Sequence, residues 1–280
     1  MKKILASLLI AAMLFSFAAC GKQDTAREDG KVPIKNALIY DNNGVKITAK
    51  GMAEQDNPAM DLELENSGDT DVLISFSECV VNGYMADYTL QSEQEDSPVS
   101  VLVAAGKSTK AQMVFEKSAL RRCGIEKICD ISLRAVLENP ETFEEIDYAQ
   151  AVCLAVDDDV EQVYDDKGSV AYEKDAVKII IKGFDPADES KKSVLVYVEN
   201  GSENALDISA QKVKVNQKKA TALYAADVLP GMRTVNVMRF EEDFKDIKEL
   251  ELMFCINAFD YQSGEIREVL GKSKLQSVKF

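Results

Sequence analysis

The chain has 280 residues, 46% of them hydrophobic, which is enough for one or two cored domains. A formal charge of −15, spread along the chain, repels phosphate backbones and anionic lipid headgroups. Nucleic-acid binding is therefore disfavoured, and any membrane association needs another source. The absence of histidine removes Ser-His and Cys-His nucleophile pairs, the helical His-Glu-x-x-His zinc site and the usual general base, and with them most hydrolase mechanisms.

Lys2 and Lys3 open the chain, and Ile4 to Ala19 is apolar apart from Ser7 and Ser16. That run falls short of a comfortable bilayer span and ends in the small pair Ala18-Ala19, so residues 1–19 read as a signal peptide. Phe17-Ala18-Ala19-Cys20-Gly21 resembles the lipobox of bacterial lipoproteins, with Phe17 where leucine is commonest. The resemblance implies a diacylglyceryl group on the Cys20 thiol and a protein held on the extracellular face of the cell membrane. Two acyl chains, at about 0.8 kcal/mol per buried CH₂, anchor stably where one does not. From Cys20 to Lys35 the chain is polar and lacks apolar periodicity, as expected of a flexible tether.

Beyond the tether the chain repeats itself. Val45-Lys46-Ile47-Thr48-Ala49-Lys50-Gly51 returns as Val177-Lys178-Ile179-Ile180-Ile181-Lys182-Gly183, an offset of 132 (183 − 51). Leu64-Glu65-Asn66 returns as Val198-Glu199-Asn200, and Val81-Asn82 as Val215-Asn216, both at 134 (200 − 66 and 216 − 82). Gly106 with Met113-Val114-Phe115 returns as Gly231 with Met238-Arg239-Phe240, at 125 (231 − 106). A period this long implies a duplicated domain rather than a solenoid.

The dominant pattern within each copy is strand alternation. Met60, Leu62 and Leu64 face one way and Asp61, Glu63 and Glu65 the other, and Val194, Val196 and Val198 repeat the set. Further strands are expected around Val72 to Phe76, Val99 to Val103, Lys110 to Phe115, Ile128 to Leu137 and Gln150 to Val156. Their counterparts are a set at Leu206 and Ile208, then one at Val213 and Val215, followed by Val235 to Phe240, Leu250 to Phe259 and Glu268 to Val278. Asn66-Ser67-Gly68, Asn82-Gly83, Asn200-Gly201 and Pro230-Gly231 supply the turns. One short helix per copy is expected, at Lys117 to Arg122 and Glu242 to Ile247. This pattern predicts an all-β chain of two tandem immunoglobulin-like β-sandwich domains, at 36–157 and 160–280, without the Cys-Trp-Cys hallmark of antibody domains.

The set Tyr40-Asp41-Asn42-Asn43-Gly44-Val45-Lys46-Ile47, Leu64-Glu65-Asn66, Val81-Asn82-Gly83-Tyr84-Met85, Ala105-Gly106-Lys107 and Gly124-Ile125-Glu126-Lys127-Ile128 resembles the Ig-like domain of unknown function in lipoproteins of Gram-positive bacteria. The resemblance spans nearly the whole mature chain, once per copy, and is weaker in the second. It implies a fold and a location, and it brings no catalytic residues.

Few residues invite chemistry. Gly106-Lys107-Ser108 and Gly271-Lys272-Ser273 lack the glycine of a phosphate loop, with Val101 and Ile266 in its place, and read as turns. Ser209 and Lys212 have Ser-x-x-Lys spacing on a strand, where that motif does not operate. Besides Cys20 there are Cys79, Cys123, Cys129, Cys153 and Cys255. Cys123 and Cys129 flank a segment that a disulfide could close, and the alternative is burial as small apolar residues. Asp157, Asp158, Asp159, Asp165 and Asp166 lie between the copies and could hold Ca²⁺, the alternative being a solvated linker. No other cofactor is implied. The expected function is a non-enzymatic binding module for a protein or glycan ligand. A structural or accessory subunit of an envelope complex is the alternative, and a carboxylate- or metal-dependent hydrolase has the least support.

Overall fold

The computed structural model describes residues 32–53, 55–93, 97–260 and 263–280. The leader, Cys20 and the start of the tether lie outside these residues.

The fold is nearly all β. Twelve strands occupy residues 32–155, called here the first half. They are β1 (Val32–Pro33), β2 (Ala37–Asn42), β3 (Val45–Ala53), β4 (Ala59–Asn66), β5 (Val72–Val81), β6 (Tyr84–Met85), β7 (Tyr88–Ser92), β8 (Ser100–Val103), β9 (Lys107–Phe115), β10 (Asp130–Glu138), β11 (Glu145–Tyr148) and β12 (Val152–Ala155). Helix α1 (Lys117–Arg122) joins β9 to β10. The second half holds β13 (Ser169–Lys174), β14 (Val177–Phe184), β15 (Val194–Asn200), β16 (Ala205–Val215), β17 (Lys218–Lys219), β18 (Ala222–Leu223), β19 (Ala225–Val228), β20 (Arg233–Phe240), β21 (Glu249–Phe259), β22 (Ile266–Lys272) and β23 (Gln276–Lys279).

The pairing order recurs. One layer of the first half runs β2-β3-β4-β9-β7, and the second half answers with β13-β14-β15-β20-β18. In the other layer β10 carries β11, β12 and β5, and β5 carries β6 and β8; likewise β21 carries β22, β23 and β16, and β16 carries β17 and β19. Among the strands of the described residues, only β1, parallel to β12, lacks a counterpart.

Alternation sets the cores. Met60, Leu62 and Leu64 are buried while their acidic neighbours stay partly exposed, and β10 buries Ile131, Leu133, Ala135 and Leu137 with the same period. Both layers of each half contribute to one apolar cluster, and in the first it includes Leu64, Ile74, Phe115 and Leu133.

The repeated asparagines are structural. Asn66 Nδ2 donates to the Thr70 and Val103 carbonyls, and its Oδ1 accepts from the Gly68 amide. Asn200 does the same with Asn204, Val228 and Ser202. Asn82 donates to the Lys127 carbonyl and accepts from the Cys129 and Asp130 amides, and Asn216 repeats this with Asp246, Lys248 and Glu249. Each pins a loop whose backbone groups no ladder reaches. Glu78 and Lys212, also 134 apart (212 − 78), both have positive φ at a bulge where the register of β5 on β10, and of β16 on β21, shifts.

Two expectations fail. Residues 242–247 form no helix: the Glu242 carboxylate is engaged by the Thr221 amide, which ties the start of the segment to the chain before β18. The expected final strand, Glu268 to Val278, is two strands, β22 and β23, which pair with different stretches of β21.

Candidate functional site

The two halves meet over a built junction. Their sheets are continuous, because the Arg233 amide donates to the Gly83 carbonyl and β6 lies parallel to the start of β20. Ile180, Leu195, Tyr197 and Val235 of the second half belong to the first half's apolar cluster.

The connection between halves docks here. The Asn82 side-chain amide donates to Gln162 Oε1 at 2.9 Å. The Tyr164 ring lies 5.6 Å from that of Tyr84, and the Arg233 guanidinium sits 3.9 Å above the Tyr164 ring. Only glycine fits at position 83, where a Cβ would stand 2.6 Å from the Tyr164 hydroxyl oxygen and φ is +78°. Arg233 also pairs with Glu199 at 2.6 Å, and the Tyr197 hydroxyl donates to the same carboxylate at 3.1 Å. A second tie joins α1 to the loop after β14: Arg122 Nε meets Asp185 Oδ2 at 2.9 Å, with Asp185 only 3% exposed.

Two grooves flank the junction and share Met85, Ala86, Asp87 and Asn236. The larger, about 800 Å³, is lined by Phe76, Tyr88, Val99, Phe143 and Asp227 among others. On its floor the Tyr88 hydroxyl donates to the Phe76 carbonyl and accepts from the Phe76 amide, taking the place of a neighbouring strand. The smaller, about 390 Å³, runs between α1 and β20 past Tyr84, Leu120, Cys123, Tyr224, Val235 and Val237. Both grooves mix apolar and charged side chains, with Glu78, Asp87, Glu138 and Asp227 along the larger and Asp87, Glu116, Arg122 and Arg239 along the smaller.

The buried thiols of Cys79 and Cys123 are poorly disposed for nucleophilic work. Burial pushes the Cys79 and Cys123 thiols up to about 12, far from the reactive thiolate range. Partial burial, then the Asp207 carboxylate across the ladder, raises the Asp227 carboxyl above its ordinary value.

The candidates from sequence fall as follows. Cys20 lies outside the described residues. Of the junction acids, Asp165 pairs with Lys182 and Asp166 with Lys178, and these lysines, through hydrogen bond and charge, hold both carboxyls below their usual range. Asp157 accepts the Asp159 amide. The structure does not bring the five together as a calcium cage, and among the described residues no group of three or more metal-ligating side chains could hold an ion. Among the described residues no disulfide closes Cys123 to Cys129, and Cys79, Cys123 and Cys255 are free thiols. Neither the docked linker nor the grooves were anticipated from sequence. The signals were there in Gly83, Gln162 and Tyr164, an aromatic and an amide set among the acids of the linker.

No protein-family model and no curated protein matches the chain. Among solved structures, the YadV chaperone is 11% identical with a TM-score of 0.27, over 83% of this chain and 100% of its own. The Salmonella enterica SafA pilin in complex with the SafB chaperone is 11% identical at 0.24, over 86% and 98%. A conserved domain protein from Bacillus anthracis is 11% identical at 0.25, over 88% of each chain. Scores this low do not establish a shared fold.

Proposed function

We propose that this chain is a lipid-anchored protein of the extracellular membrane face, built of two tandem Ig-like sandwich domains. In this reading it acts as a non-enzymatic binding module for a protein or glycan ligand. The recurrence of one pairing order in both halves supports the tandem domains. The observation that carries binding is the clamped junction with two grooves beside it, each lined by apolar and charged side chains, a preorganised surface that needs no ordering on contact.

The test has two parts. Cells fed an alkyne-tagged fatty acid should label the wild-type chain and not Cys20→Ala, which should leave the membrane fraction. Mild cross-linking of intact cells should then recover one reproducible envelope component with the wild-type chain. Equal membrane retention of Cys20→Ala would end the anchor, and irreproducible capture would end the binding role.

A further inference from the structure

Comparing the halves strand by strand shows a place where the second is incomplete. In the first half β7 pairs with β9 along five residues, Tyr88 to Ser92 against Phe115 to Ala111. In the second half β18 pairs with β20 at only two positions, Ala222 with Phe240 and Leu223 with Arg239. The cause is connection length. Residues 93–99 carry the first half's chain from β7 across to β8, whereas Tyr224 alone separates β18 from β19. Tyr224 turns into the core against Phe254, and the chain leaves the edge of β20.

From Val235 to Val237, then, β20 has a neighbour on one side only. β15 takes that side, and on the other, ladder contacts stop at Arg233 with Tyr84 and at Arg239 with Leu223. Arg233 and Arg239 direct their backbone groups to the open side, so by the two-residue period Val235 and Val237 do too. The Cys123 thiol lies against the Val235 backbone and lines the groove beside it. The Val235 carbonyl and both backbone groups of Val237 have no backbone partner among the described residues. This edge borders the 390 Å³ groove, whose walls are Tyr84, Ala86, Ala119, Leu120 and Cys123. Tyr224 also lines the groove, and its hydroxyl, turned into the core, has no hydrogen-bond partner among the described residues.

We propose that this slot accepts an extended segment of a partner polypeptide, added as a strand antiparallel to β20 between β6 and β18. The proposal rests on the binding-module reading and gives it a location and a partner class. The first half supplies the template for Asn236 to Met238, since β7 covers their counterparts Ala111 to Met113 in that orientation, and the proposed strand runs one residue further, to Val235. Residues of the segment opposite Val235 and Val237 point between α1 and residues 84–86 and are small and apolar. Its leading end lies beside Arg239, which no salt bridge engages among the described residues, and carries an acid.

The experiment uses the mature chain without its lipid and the peptide Asp-Thr-Val-Thr-Val-Thr-Ser, whose five central residues face Thr234 to Met238 while its end residues turn out of the ladder, since Leu223 and Tyr84 already hold Arg239 and Arg233. By NMR, the amide of Val237 in the free protein exchanges faster than that of Val196, which is paired on both sides. The peptide shifts and protects the amides from Val235 to Val237. Asp-Val-Val-Thr-Thr-Thr-Ser, with the alternation broken, does not. Val237→Pro, which removes an amide facing the slot and none bonded to β15, weakens binding by about tenfold. Inserting Leu-Gln-Ser and a seven-residue connection after Leu223 fills the slot and abolishes binding. A Val237 amide already as protected as Val196, or peptide binding that survives both variants, would overturn the slot. If the slot-filled chain still captures the same envelope component in cells, the slot fails and the binding role stands. Where no chain captures anything, it is the binding role that fails.

Discussion

Asn66 and Asn200 are 2% and 0% exposed, and each satisfies three backbone groups that no strand serves. Asn200→Ala would leave the Asn204 and Val228 carbonyls and the Ser202 amide unpaired in a dry site, at a cost of about 2–3 kcal/mol measured by urea unfolding. A loss below half that would mean water reaches the turn. The β-hairpin turns separate the copies at the same scale. Asn43-Gly44 has positive φ at both residues, and its counterpart Asp175-Ala176 puts an alanine at +62°. Ala176→Gly should therefore stabilise the chain by about 0.5 kcal/mol, the relief of left-handed strain less the added freedom of the unfolded chain. Much of this was legible beforehand as repeated motifs. The repetition exposed which asparagines matter, but it could not distinguish a ligand contact from a loop pin, because an amide side chain serves either purpose.

At the scale of elements, strands that bury one face, such as β4 and β10, announced themselves by alternation. A strand exposed along most of its length, such as β13, did not, since solvent removes the need for a pattern. The ladder of β16 with β19 sets Asp207 directly opposite Asp227, and like charges facing across strands are unfavourable. Raised in the folded state by partial burial and by that neighbour, the Asp227 carboxyl gives stability that is present below its unfolded value near 3.9 and lost as pH rises through its folded one. Most carboxylates act in the opposite direction. Asp227→Asn should therefore raise Tm at about pH 7 and leave it nearly unchanged at about pH 3. An equal gain at both pH values would trace the effect to packing.

On the scale of the whole molecule, the question is whether the halves behave as beads on a string or as one body. Composition suggested the former, because a run of acids between two sandwiches reads as solvated linker. The structure places those acids on Lys178 and Lys182 and seats Tyr164 under Arg233. Sequence could not reveal this, since the partners lie 12 to 80 residues away along the chain. Two ties should make unfolding cooperative across the junction, and calorimetry should show one transition for the wild-type chain. Asp185→Asn leaves the Arg122 charge without its counterion in a largely buried site, at a cost of about 2–3 kcal/mol because Arg122 keeps some access to water. Tyr164→Ala removes the ring that covers both Arg233 and Tyr84. With both changes the transition should split in two, and the radius of gyration by small-angle scattering should increase as the halves separate. Val235 and Tyr197 would then lose the apolar neighbours they share with the first half. If the double variant still melts in one step at unchanged dimensions, those shared apolar contacts alone hold the halves together, and the ion pair and the docked tyrosine only decorate the joint.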